Sequence, residues 1–149
     1  MPFIRKTNMN VRGMILINKA KHYAKKWHRG QRDDDGKPYY KHPFKVYKLL
    51  KLVTNDVDIL CAGILHDVVE DTDVSRGEIN SKFNPHIGFL VMEVTKNTIK
   101  GKKVFPRLHS REGIMIKFAD KLSNISRMNS WSEKRRKKYL DKCKFWRSE

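Results

Sequence analysis

The sequence predicts an all-α fold: a single compact helical bundle, taking residues 1–149 as one domain. Three observations point there. Apolar residues recur at the three- and four-residue spacing of a helix face. Clusters of Gly, Pro and Asp punctuate the periodic segments. No segment shows the strict alternation of a half-buried strand.

Taken in order, Ile15, Leu16, Ala20, Tyr23, Ala24 and Trp27 mark a first helix, ended by Gly30. The polar run 33–38, Asp-Asp-Asp-Gly-Lys-Pro, is a turn. Pro43 suits the first turn of a second helix that continues through Phe44, Val46, Tyr47, Leu49, Leu50 and Val53. Asp56 is placed to cap a third, which carries His66 and Asp67 and, if unbroken, runs on to Asp71. A short helix holds Glu78, Ile79 and Phe83, and another runs from Pro85 to Val94. Residues 95–106 are polar and Lys-rich and read as a loop. A further helix carries Ile114, Ile116, Phe118, Ala119, Leu122 and Ile125, and a last one begins near Ser132 and passes Leu140.

Bulk properties narrow the class. With 39% hydrophobic residues, three tryptophans, five tyrosines and seven phenylalanines, the chain has the means to build a core. It has neither a membrane-length apolar run nor a secretory signal pattern. Cys61 and Cys143 form no CxxC pair, and Cys61 sits in an apolar run; a reducing cytoplasm is expected rather than a disulfide framework. The net charge of +17 favours anionic ligands, and it thickens at Lys134-Arg135-Arg136-Lys137-Lys138. No nucleic-acid-binding motif accompanies it, so specific nucleic-acid binding is not expected, though the charge permits non-specific contact.

The chemistry concentrates in His66-Asp67-Val68-Val69-Glu70-Asp71. In an unbroken helix Glu70 would lie one turn beyond His66, and Asp71 one turn beyond Asp67. Two other segments add candidates: His42 at the start of the second helix, and Asp120 in Lys117-Phe118-Ala119-Asp120-Lys121. Two histidines and two aspartates make a mixed nitrogen and oxygen set. Such a set suits manganese, iron or zinc better than calcium. Singly, each has a plainer reading: His42 as a helix-start cap, Asp120 as the ion-pair partner of Lys117 or Lys121.

The motifs stand in a fixed order: Gln31, Gly36-Lys37-Pro38-Tyr39, His42-Pro43, Leu65 to Thr72, Lys117 to Asn124, then Trp131-Ser132-Glu133 with Arg135 and Tyr139. In this order they resemble the HD-domain metal-dependent phosphohydrolases. Within these, the likeness is to the small alarmone hydrolases and the hydrolase domain of RelA/SpoT enzymes. It covers the chain from about residue 20 to residue 139.

The resemblance implies a hydrolase that uses Mn2+, or another divalent transition metal, to remove the 3′-pyrophosphate of (p)ppGpp. It implies His42, His66, Asp67 and Asp120 as metal ligands, and Glu70 and Asp71 as the acidic pair that handles the attacking water. It places Asn124, Arg135 and Tyr139 at the nucleotide, while Arg32 and Lys37 are candidate phosphate or base contacts. One departure bears on substrate. Asp33 stands where the bacterial enzymes carry an arginine that stacks on guanine. Arg32 then takes over that contact, or the base is held differently. Adenine alarmones, NADPH or nucleoside monophosphates are the alternative substrates. A non-catalytic nucleotide or nucleic-acid binder is the alternative of another kind. His22, His28, His86 and His109 read as surface or packing residues, and Trp27, Trp131 and Trp146 as packing rather than base-stacking residues.

Overall fold

The computed structural model of the chain describes residues 10–104 and 108–143. Its helices are α1 (Val11–Trp27), α2 (Lys41–Lys51), α3 (Val57–Leu65), α4 (Val68–Asp71), α5 (Arg76–Lys82), α6 (Pro85–Val94), α7 (Arg111–Ile125) and α8 (Glu133–Lys142). A hairpin of β1 (Asn97–Ile99) and β2 (Lys102–Val104) separates α6 from α7. No described helix is long and apolar enough to cross a membrane.

The helix starts follow from capping chemistry. The side chains of Asn10, Asp56, Ser75, Asn84, Ser110 and Ser132 each accept a backbone N–H from the first turn that follows. Pro85 sits in the opening turn of α6, where its missing N–H costs nothing.

The core forms around α3, whose residues from Ile59 to Leu65 are all buried. It packs against α1, α2, α6 and α7. Ile17, Ala20 and Ala24 of α1, Val46 and Leu50 of α2, and Leu90 and Val91 of α6 complete one apolar cluster. Gly63 lets α2 come close: a Cβ there would run into Leu50 Cδ1. This close approach brings the start of α2, with His42, beside the end of α3, with His66.

Three expectations need correction. The third helix does not run to Asp71. It ends at Leu65, and a separate turn begins at Val68. The reason is local: His66 Nδ1 donates to the Gly63 carbonyl at 2.7 Å, a group that a continuing helix would pair with a backbone N–H. Second, part of the Lys-rich loop is the hairpin, with Asn97 opposite Val104. Lys100 and Gly101 both have positive φ, 50° and 76°, the requirement of a tight two-residue hairpin turn. Residues 105–106 of that stretch lie outside the described residues, as does Trp146. Third, Phe118, Leu122 and Ile125 of α7 are exposed although they fit the helical pattern. Ile116, Ala119, Asp120 and Ser123 form its inward face instead.

Because Leu50 is itself packed, Gly63→Ala should destabilise the chain. Overpacking costs about 1–3 kcal/mol, of which alanine's better helix propensity returns about 0.5–1. Urea unfolding of the two proteins checks this; equal midpoints would contradict the close α2–α3 contact.

Candidate active site

Side chains from α2, the α3–α4 break and α7 meet at one point. Ligand-capable atoms of His42, His66, Asp67 and Asp120 all lie within 4.8 Å of one another. His42 Nε2 is 3.3 Å from His66 Nε2 and 2.9 Å from Asp120 Oδ1. His66 Nε2 is 3.0 Å from Asp67 Oδ2 and 3.2 Å from Asp120 Oδ1. His42, His66 and Asp120 are buried.

The outer hydrogen bonds aim these groups. With Nδ1–H of His66 donating to the Gly63 carbonyl, Nε2 faces the cluster. His42 Nδ1 is held 2.8 Å from Ser123 Oγ. The Tyr39 hydroxyl donates to Asp67 Oδ2 at 2.6 Å. Buried Lys117 pairs with Asp120 Oδ2 at 3.0 Å, so Asp120 does have the ion-pair partner of its plainer reading, and it faces the cluster as well.

The electrostatics call for a cation. Burial pushes both carboxyls up, but His66 beside Asp67, and the two histidines and Lys117 around Asp120, outweigh it and hold both low. Burial pulls His66 down, yet Asp67 and Asp120 hold it well above its ordinary value. Two carboxylates and two inward imidazole nitrogens are therefore stable together only around positive charge. Ligands about 2.1 Å from one ion stand about 3.0–3.4 Å apart at octahedral or tetrahedral edges. Four of the spacings, 2.9–3.3 Å, lie near that range, while His42 Nε2 to Asp67 Oδ2 is wider at 3.6 Å; with a small closing movement the donor set fits a divalent metal.

Asp71 lies at the rim. Burial against its neighbours, with the charges of Asp67 and Glu70, pushes its carboxyl up to about 6. Glu70 is engaged elsewhere: its Oε1 accepts the Lys96 backbone N–H at 3.0 Å, and Lys103 Nζ stands 3.9 Å from Oε2. It ties the hairpin to α4.

Beside the cluster is a cleft of about 250 Å³, bordered by Arg32, Tyr39, Asn124, Arg127, Trp131 and Arg135. Asn124 links it to the cluster, donating to Tyr139 Oη at 2.8 Å and standing 3.4 Å from Asp120 Oδ1. Arg127 fixes the Asn124 amide by donating to its Oδ1 at 2.7 Å. Lys37 borders a smaller cleft with His42 and Ser123. Arg32 donates to the Gly36 carbonyl at 2.8 Å. Asp33 accepts the backbone N–H groups of Asp35 and Lys37, both at 2.9 Å, and so builds its own turn. Asp34 reaches α8, accepting from Trp131 Nε1 at 2.9 Å and Arg135 at 2.8 Å.

Several residues here went unassigned in the sequence. Tyr39 and Gln31 lay inside recognisable motifs without a role; Gln31 Nε2 donates to the Asp71 carbonyl at 3.1 Å. Arg127 carried one weak signal, its position one turn beyond Asn124. Trp131 borders the cleft and packs edge-on against Tyr139, with the Arg135 guanidinium 3.8 Å above its ring. Of the histidines set aside, His86 pairs with Asp58 at 2.7 Å, and His28 is buried.

Comparison with known proteins gives these residues a setting. The human guanosine-3′,5′-bis(diphosphate) 3′-pyrophosphohydrolase MESH1 is 36% identical over 138 residues, covering 82% of this chain and 77% of its own. A probable enzyme of the same name from Mycoplasma pneumoniae is 33% identical over 132 residues, but the chain spans only 18% of its length. In the Mycoplasma genitalium counterpart, 38% identical over 102 residues, it spans 14%. A solved structure described as a metazoan ortholog of SpoT that hydrolyses ppGpp superposes with a TM-score of 0.76 at 29% identity, covering 93% of this chain and 85% of that one. The HD domain model matches residues 20–112, a span that holds His42, His66 and Asp67, with Asp120 following on α7. The chain belongs to the HD domain family.

Proposed function

We propose that the chain is a divalent-metal-dependent phosphohydrolase that removes the 3′-pyrophosphate of a (p)ppGpp-type alarmone, with manganese as its metal. The observation that carries this is the convergence of two imidazoles and two carboxylates within 4.8 Å, beside a cleft of about 250 Å³ bordered by arginines. The named activity of relatives such as human MESH1 supports the substrate class. The two unpaired cysteines are in keeping with a cytoplasmic setting.

His42, His66, Asp67 and Asp120 would hold the metal. A divalent cation bound there would lower the pKa of the attacking water and offset phosphate charge. Asp71 accepts the proton as the water oxygen bonds to the phosphorus on O3′. The bond from phosphorus to O3′ breaks, pyrophosphate departs, and the proton taken up by Asp71 passes to O3′, directly or through water, so that the nucleoside oxygen leaves as an alcohol. Glu70 assists by holding the hairpin and raising the basicity of Asp71. Asn124 and Tyr139 position the nucleoside, and Arg32, Lys37 and Arg135 meet phosphate or base. A second substrate reading, an adenine alarmone or NADPH, is favoured by one observation. Asp33 is spent on its own turn, accepting the backbone N–H groups of Asp35 and Lys37, where the resemblance puts a guanine-stacking arginine in the bacterial enzymes.

Purified protein with Mn2+ should release pyrophosphate from guanosine or adenosine 3′,5′-bis(diphosphate), and Asp67→Ala should abolish release. Absence of turnover across these, NADPH and nucleoside monophosphates, with salt-sensitive DNA binding instead, would favour the binding-protein reading. Tyr39→Phe removes a bond to Asp67 and should lower metal affinity or activity about 10–100-fold.

The pH dependence has a defined sign. Asp71 must be ionised to accept a proton, so the rate should fall as pH drops through about 6. Its stability effect runs oppositely. A carboxyl raised from 3.8 to about 6 by folding stabilises at low pH and loses that contribution as pH rises through 6. Asp71→Asn should therefore melt with the wild type near pH ~4 and above it near pH ~7.5. Calorimetry across that range reads the difference.

A further inference from the structure

A cleft of about 640 Å³ lies between the last turns of α1 and the segment 28–40. It is distinct from the smaller clefts that border Asn124 and His42, and shares only Arg32 with them. Lys25, Lys26, Arg29 and Arg32 line it, and no carboxylate does. None of these four forms a salt bridge among the described residues. Lys25 Nζ lies 4.8 Å from the centroid of the Tyr40 ring, which also lines the cleft. Concentrated like charge without counter-charge is self-repelling unless an anion joins it.

A second, independent feature is His28. It lines the same cleft, is only 2% exposed, and its Nε2 has no hydrogen-bond partner. Its tautomer follows from its neighbours. Gln31 Nε2 donates to the Asp71 carbonyl, which turns Gln31 Oε1 towards His28 Nδ1 at 2.9 Å. Nδ1 therefore carries the proton, and Nε2 is left as a bare acceptor. Burial lowers the His28 pKa, in keeping with a neutral ring. That atom is closed to solvent, so His28 serves the cleft through its ring and its bond to Gln31 rather than by direct contact with a ligand.

We propose that this cleft is a second ligand site, separate from the metal centre, for a phosphate-bearing nucleotide. The four cations meet the phosphates, Tyr40 offers a ring face, and the volume lies within the range of small-molecule sites, about 300–1,000 Å³. The site is wired to the metal centre. His28 bonds Gln31, which bonds the Asp71 carbonyl, and the His28 ring is 5.0 Å from that of Tyr39, whose hydroxyl holds Asp67. Occupancy would therefore be felt at the metal.

The test is calorimetric titration of the full chain with adenosine triphosphate and, separately, inorganic pyrophosphate, with a chelator present to prevent turnover. The triple variant Lys25→Ala/Lys26→Ala/Arg29→Ala removes exposed cations and should weaken ATP binding about tenfold or more. Lys134→Ala/Arg136→Ala/Lys137→Ala removes the same charge from α8 and should leave it unchanged. Pyrophosphate binding with the same pattern but tighter than ATP would replace the nucleotide by a free phosphoanion and overturn that part. Equal weakening by both triple variants, or no effect of the first, would overturn the second site. Because the readout is binding without metal, failure here leaves the hydrolase reading standing, and the reverse holds too.

Discussion

Everything in this molecule is arranged around the burial of two carboxylates against two imidazoles. Taking such groups out of water costs several kcal/mol per ion unless opposite charge and hydrogen bonds compensate. The fold supplies part of the compensation. Lys117 sits beside Asp120, Tyr39 holds Asp67, and the Gly63 carbonyl and Ser123 set the outer nitrogens of the two rings. A divalent cation supplies the remainder. The helix break after Leu65 serves the same end, because it lets two adjacent residues, His66 and Asp67, turn towards one point. On a continuous helix neighbouring side chains diverge by about 100°.

The support extends outward through polar side chains. Asp120 leads to Asn124, Asn124 to Tyr139 and Arg127, and Asp67 to Tyr39. Asp34 then joins the segment before α2 to Trp131 and Arg135 at the start of α8. Here the acidic run does not act as a block of like charge. Asp33 shapes its own turn and Asp34 clasps α8, so two of the three aspartates have structural partners. Asp33 and Asp34 thus shape the segment before α2 and tie it to the start of α8.

Much of this was legible in the sequence. The helices followed from apolar spacing, Asp56 was recognisable as a cap, and the four clustered residues stood out by type and order. What stayed hidden has physical reasons. Leu65-His66-Asp67-Val68-Val69 remains compatible with a helix, and only a side-chain bond to the Gly63 carbonyl ends it. The hairpin strands are exposed on every residue, so no alternation of burial marks them. Asp34 and Arg135 are 101 positions apart, beyond the reach of any local pattern. Phe118, Leu122 and Ile125 look inward by spacing, but the core selects the neighbouring face of α7, where Asp120 must point.

The sequence distance between the clustered residues has its own outcome. His42 and Asp120 lie 78 positions apart in sequence, and an ion bound between them would join α2 to its packed neighbour α7. The unfolded chain cannot assemble that coordination set, so the ion's binding free energy adds to the stability of the native state. An ion held there would make the folded chain more resistant to unfolding, and its removal would lower that resistance.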